Sequence, residues 1–327
     1  MRRREFIGLI GGAAAAWPRV TRAQQPGGTR RIGVLFALAE SDRQAQSRLA
    51  AFRGELQKLG WADITIDTRY VASNDAETHQ RYAKELVALQ PDLILAQNTD
   101  ATGALLHQTR TIPIIFTIVA DPVASGFVAS FPQPGGNVTG FVTGVPTLGG
   151  KWLELLKEIA PSVTRVLVPY NTATLSAEYY VDPLKASAAL LGIEASAVVI
   201  QDMSELESTL AAYARAPFGG LVVIPDAYLT GHRLEVTSLA ARYRLPTVYA
   251  YRFFAESGGL LAYGTDLLDN FRRAAIYADR ILRGAKVSEL PVQAPERFEL
   301  VINLKTAKAL GLAVPPTLLG RADEVIE

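Results

Sequence analysis

The sequence predicts an α/β protein of two similar lobes, each a parallel sheet covered by helices, and three observations carry that expectation. Short β-branched runs alternate with helical stretches along the chain, the pattern of strands buried on both faces by crossover helices. The runs fall into two series that agree in register to within one residue: LILAQN (93–98) with LVVIPD (221–226), IPIIFTIV (112–119) with LPTVYAYR (245–252), and IGVLFALA (32–39) with RVLVPYNT (165–172). A chain of 327 residues, 49% hydrophobic and 20% charged, is long and apolar enough for two domains with substantial cores.

The first 23 residues stand apart from this pattern. A basic head, Arg2 to Arg4, precedes an apolar stretch from Phe6 to Trp17, and Thr21-Arg22-Ala23 puts small residues at the −3 and −1 positions of a cleavage site. The apolar stretch is shorter than the roughly 20 residues a membrane-spanning helix needs. Residues 1–23 therefore read as an export signal cut after Ala23. Arg3-Arg4-Glu5-Phe6-Ile7 resembles the twin-arginine signal that directs folded proteins to export, with the general secretory route as the alternative.

A Gln-Gln-Pro-Gly-Gly linker follows, and then the elements come in order. RIGVLFAL (31–38) is a buried strand, after which a Ser41-Asp42 cap opens a helix that Gly60 ends. ITIDTRYV (64–71), DLILAQ (92–97) and PIIFTIV (113–119) complete the first series of strands. TRVLVPYN (164–171), ASAVVI (195–200), GLVVIPD (220–226) and PTVYAY (246–251) form the second. SELESTLAAYARA (204–216) and NFRRAAIYADRILRG (270–284) have apolar residues three and four apart, as helices require.

Charge and motif content exclude several function classes. The signal holds five of the 33 basic and one of the 32 acidic residues, so the remainder carries 28 against 31, a net charge of −3. A mildly acidic chain without basic tracts is a poor nucleic-acid binder, because phosphate neutralisation dominates that affinity. The absence of cysteine excludes disulfides and a lipid-modified cysteine anchor. The expectation is thus a soluble protein of a bacterial periplasm, and not a lipoprotein. His79, His107 and His232 lack metal-ligand spacing, so no metal is expected. No G-x-S-x-G elbow is present, Val145 and Trp152 spoil a phosphate loop in GVPTLGGKW, and GGLLAYG has the wrong spacing for a dinucleotide. The chain is expected to be neither an enzyme nor a cofactor protein.

Ligands of open parallel sheets bind beyond the carboxyl ends of the strands, and two lobes facing each other make a cleft. The residues just past the strand ends are then the candidates: Glu40, Asn98, Thr99 and Asp121 in the first lobe, Tyr170, Asn171, Asp226, Tyr251, Arg252 and Phe253 in the second. This polar and aromatic mixture suits a small organic ligand.

TIPIIFTIVADPVASGFVASFPQPGGNVTG (111–140), KWLELLKEIAP (151–161), DRILRG (279–284) and FELVINLKTAKALGLAVPPTLLGRADEVIE (298–327) resemble the ABC-transporter substrate-binding proteins of the family that includes the bacterial tryptophan-binding proteins. The resemblance extends over the whole chain. It implies the type I periplasmic-binding-protein fold, two Rossmann-like lobes joined by three crossing segments that close on a small ligand. The crossings are expected near 140–147, 255–262 and 290–297, giving a first lobe of 30–142 plus 258–293 and a second of 143–257 plus 294–327.

The resemblance also implies an aromatic amino acid as ligand, an ABC permease in the inner membrane as partner and a monomeric receptor. Thr99 matches the threonine of the family's Thr-Pro pair, at a helix mouth that favours a carboxylate. Asp100 replaces the proline, either as a helix cap or as a charge that opposes a carboxylate there. Asp226 matches the aspartate of a Pro-[small]-Asp segment, although here it follows Pro225 directly, and is the implied ammonium partner. Asn171 supplies an amide, and Tyr170, Tyr251 and Phe253 are placed to stack. Arg252 is placed to clamp a second carboxylate, which makes an aromatic or branched carboxylic acid the rival ligand. A sensory module presenting the same lobes, or an exported enzyme, are the alternatives from other classes.

Overall fold

The structure is a computed structural model that describes residues 30–72, 75–171 and 177–327. The signal segment lies outside the described residues. In the first lobe β1 (Arg31–Phe36), α1 (Arg43–Lys58), β2 (Thr65–Tyr70), α2 (Ala76–Ala88), β3 (Leu93–Gln97), α3 (Thr99–Gln108), β4 (Ile114–Val119) and β5 (Val138–Val142) follow in turn. The strands form an all-parallel sheet in the order β2-β1-β3-β4-β5. Asp42 caps α1 by accepting the Gln44 N–H at 2.8 Å, and Gly60, at φ 97°, takes the chain out of the helix.

The chain then enters the second lobe through α4 (Leu148–Ile159), β6 (Arg165–Tyr170), α5 (Ala177–Leu190), β7 (Glu194–Val199), α6 (Met203–Tyr213) and β8 (Gly219–Val223). It continues through α7 (Ala227–Gly231), α8 (Arg233–Arg242), β9 (Thr247–Tyr249), α9 (Arg252–Glu256) and β10 (Leu261–Thr265). Next α10 (Leu267–Leu282) and a 3₁₀ turn, Val287–Glu289, return to the first lobe. The last segment, β11 (Phe298–Asn303), α11 (Leu304–Leu310), α12 (Pro316–Leu319) and β12 (Glu324–Ile326), completes the second. Its sheet has the order β12-β11-β10-β9-β8-β6-β7 and is parallel except for the β10–β11 pair.

The central strands of each sheet are buried on both faces, which is why they are nearly continuous apolar runs. In the first lobe one face packs on α1 and α10, with Phe36 stacked on Phe271 at 5.9 Å, and the other on α2 and α3. Trp152 of α4 is fully buried in the second core and donates its indole N–H to the Tyr263 carbonyl at 2.7 Å.

The second crossing departs from the sequence expectation. β10 pairs with β9 and β11, so the chain stays in the second lobe through Thr265, and the first lobe resumes at about residue 266 instead of 258. The apolar run of β10 has no helical or alternating signature that separates a crossing from a strand; its hydrogen-bond partners decide. Three crossing segments are bonded to one another. Gln293 donates its N–H to the Gly140 carbonyl at 2.9 Å and accepts that of Val142 at 3.0 Å. The Thr265 hydroxyl donates to the Thr143 carbonyl at 2.7 Å, and the Asn270 amide to the Val142 carbonyl at 3.1 Å. Close approach here excludes side chains: a Cβ on Gly140 would lie 2.1 Å from the Phe116 carbonyl oxygen, and one on Gly264 1.8 Å from that of Ala250.

Candidate functional site

Beyond the carboxyl ends of β1, β3, β4, β8 and β9 the two lobes enclose a cleft with about 680 Å³ of empty space, part of it open to solvent. Its apolar wall is made by Leu38, Ile118, Ala120 and Leu267, and its polar lining includes Arg48, Gln97, Asn98, Thr99, Asp100 and Thr143. Pro225, Asp226, Thr230 and Tyr251 face it from the second lobe. Backbone strain accompanies the site. Asn98 (φ 85°) and the β-branched Ile118 (φ 58°) both adopt positive φ, Ile118 where β4 bulges between Thr117 and Val119. Such conformations cost about 1–3 kcal/mol each and are characteristic of ligand clamps.

Four sequence-derived candidates line the cleft. Asn98, buried, caps α3 by accepting the Ala101 N–H at 2.9 Å, and its own N–H binds the Thr117 carbonyl at 2.9 Å. Thr99 opens α3 and is half-buried. Asp226 caps α7 and is 5% exposed: one carboxylate oxygen accepts the Leu229 N–H and the other the Asn171 N–H, both at 2.8 Å. Tyr251, also buried, shares a 2.6 Å hydrogen bond between its hydroxyl and that of Thr143. Burial pushes the Tyr251 phenol up to about 12, against the opposing effects of that bond and of Arg48, so it remains neutral.

The other six side chains lie outside the cleft lining. Glu40 is exposed. Asp121 turns onto its own loop, accepting the N–H groups of Val123 and Ala124 at 3.1 and 2.9 Å. Tyr170 packs against the core of the second lobe, and Asn171 is buried with its amide on the Ile200 and Gln201 carbonyls at 2.9 and 3.3 Å. Phe253 is buried beside Tyr251 (ring centroids 5.2 Å apart) and lines a second cavity next to the cleft. Arg252 faces that same cavity and is committed to three carboxylates: Glu256 and Glu299, each at 2.8 Å, and Glu324. Partial burial disfavours its charge, but the carboxylates outweigh this and hold its pKa above the ordinary arginine value. Arg252 is therefore not placed to clamp a ligand in the cleft.

Capping of α3 by Asn98 leaves Asp100 in the first turn of the helix, facing the cleft. Burial raises its pKa, with His79 acting in the opposite sense. The residue that sequence reasoning missed is Arg48. It lies on the buried stripe of α1 with Ala45, Phe52 and Leu56, is only 2% exposed, and lines the cleft. Desolvation brings its pKa down to about 10, with Tyr251 and Asp42 opposing this and the Arg233 charge adding to it. A guanidinium in the apolar stripe of an amphipathic helix is a signal the sequence did offer. Arg233 of α8 reaches across from the second lobe to pair with Asp42 at 3.0 Å.

The fold is that of the type I periplasmic binding proteins, two α/β lobes around a cleft. Residues 38–326 match the family described as ABC transporter substrate binding protein, and the chain belongs to that family. A protein named tyrosine-binding protein from Clostridioides difficile (strain R20291) is 32% identical over 260 residues, which cover 79% of this chain and 74% of that one. Among solved structures, an ABC domain in complex with L-Trp from Streptococcus pneumonia superposes with a TM-score of 0.84 at 25% identity, over 91% of this chain and 100% of that one. A ligand-free, open substrate-binding protein with adhesive properties from Clostridium difficile superposes with a TM-score of 0.70 at 28% identity, over 91% and 99%. Among the described residues no helix is long and apolar enough to cross a membrane.

Proposed function

We propose that this chain is the receptor of an ABC importer and takes an α-amino acid with an aromatic or branched side chain in the cleft between its lobes. The observation that carries this reading is the lining: an apolar wall with charges of both signs, Arg48 against Asp100 and Asp226. A zwitterion with an apolar side chain complements all three parts of such a site. The names of the relatives, one for tyrosine and one solved with L-Trp, support the same class. Closer superposition on the L-Trp complex than on the open relative supports a closed arrangement of the lobes. The receptor acts as a monomer in the periplasm, reaches it by way of residues 1–23, and delivers ligand to an inner-membrane permease.

A simple aromatic or branched carboxylic acid is the second reading, favoured by one observation: the Asp226 carboxylate already accepts the backbone N–H groups of Leu229 and Asn171. Calorimetric titration of the chain from Gln24 onward with L-tryptophan, L-tyrosine and L-leucine, each beside its deamino acid, separates the two. Stronger binding of the amino acids, with a smaller radius of gyration in solution scattering on binding, is the expected result. Equal or stronger binding of the deamino acids replaces the first reading by the second, and no binding of either set overturns both.

A further inference from the structure

The cleft contains a buried cation that has no ion-pair partner among the described residues. Arg48 is 2% exposed, its Nε has no hydrogen-bond partner, and its guanidinium forms no ion pair among the described residues. The nearest acidic group on its own helix is diverted: the Asp42 carboxylate caps α1 and pairs with Arg233. Two aromatic rings flank Arg48, with the Phe253 ring centroid 6.0 Å from its guanidinium carbon and Tyr251 beside it in the cleft lining. A buried arginine is ordinarily paired, because an isolated charge out of water costs several kcal/mol. One that is unpaired and faces a cavity is a site prepared for an anion brought by the ligand.

We infer that Arg48 is the anchor of the ligand's carboxylate, received as a bidentate pair from α1 of the first lobe. This rests on the proposed function insofar as the ligand is a carboxylate, and it holds for an amino acid and for a simple acid alike. The alternative anchor, the mouth of α3 at Thr99, carries the Asp100 carboxylate in its first turn, which repels a second one. Arg252 is excluded by its three carboxylate partners. With the carboxylate on Arg48, the ligand's ammonium is left for Asp100 and Asp226, and its side chain for the wall at Ile118 and Leu267. The guanidinium fork fixes orientation as well as charge, so lysine is not an equivalent substitute.

The test uses Arg48→Met, which keeps much of the volume and removes the charge, with L-tryptophan and with tryptamine, the same molecule without its carboxylate. Arg48→Met is expected to weaken L-tryptophan at least about a hundredfold, equivalent to ~2.7 kcal/mol, and to leave tryptamine unchanged or tighter. Arg48→Lys recovers only part of the loss. Loss of both ligands by the same factor, or retention of L-tryptophan within a few-fold, overturns the inference. A second measurement does not depend on any ligand: removal of a buried charge that has no ion-pair partner should leave the apo variant melting at or above the wild type. A fall in the apo melting temperature makes Arg48 a structural cation and overturns the anchor. If the wild type binds none of the probes, the amino-acid reading fails by that result, and the apo comparison still judges Arg48.

Discussion

Asp226→Asn separates structure from recognition at a single carboxylate. Among the described residues each oxygen accepts one backbone N–H at 2.8 Å, from Leu229 within the α7 cap and from Asn171 at the end of β6. Asparagine keeps one acceptor and remains a good helix cap. Its amide group then meets the Asn171 N–H with a donor, so at least this charge-assisted bond is lost in a site only 5% exposed. Such bonds contribute about 1.5–3 kcal/mol, and at about 2–4 °C per kcal/mol the ligand-free variant should melt about 3–12 °C below the wild type. Calorimetric scanning measures this. Ligand affinity is then titrated well below the variant's melting temperature. If Asp226 also holds the ligand's ammonium, L-tryptophan binding weakens by a further ~2–5 kcal/mol, the usual loss when one member of a buried charge pair is removed. A variant that melts with the wild type would refute the assignment of the two backbone bonds. One that is destabilised but binds L-tryptophan normally confines Asp226 to capping and shifts the ammonium to Asp100.

Two further outcomes follow from the charges around the cleft. Burial raises the Asp100 pKa, so the native state holds its proton more readily than the unfolded chain does. The resulting penalty is absent below the unfolded value of about 4 and grows as pH rises through the native one. Asp100→Asn should therefore raise the melting temperature of the ligand-free protein at pH 7 and leave it unchanged at low pH; destabilisation at pH 7 contradicts this. The Arg233–Asp42 pair, 3.0 Å long and 20% and 13% exposed, joins α8 of the second lobe to the cap of α1 in the first. Arg233→Gln should enlarge the radius of gyration of the ligand-free protein and weaken ligand binding in proportion to the closed population lost. Unchanged scattering and affinity would show that the pair does not hold the lobes.

The sequence by itself determined the two-lobe α/β architecture, because periodicity is local: an apolar strand run, a cap and a helical stripe are each legible within about 15 residues. It also placed the cleft at the strand ends, and there Asn98, Thr99, Asp226 and Tyr251 do line a cavity. What it did not determine is where a side chain at a strand end turns. Asp121 bends onto the next two residues of its own loop, whereas Arg252 is drawn to Glu299 and Glu324, 47 and 72 positions away. The antiparallel β10–β11 pair, and with it the second crossing, likewise depends on hydrogen bonds between segments more than 30 residues apart. Arg48 shows the division most clearly. Its place on the buried stripe of α1 is written in the spacing of Ala45, Phe52 and Leu56, but its lack of a partner exists only once the other lobe is in position and Asp42 has gone to Arg233. A charge's energy depends on everything within a few ångströms, and that neighbourhood is assembled by the tertiary fold.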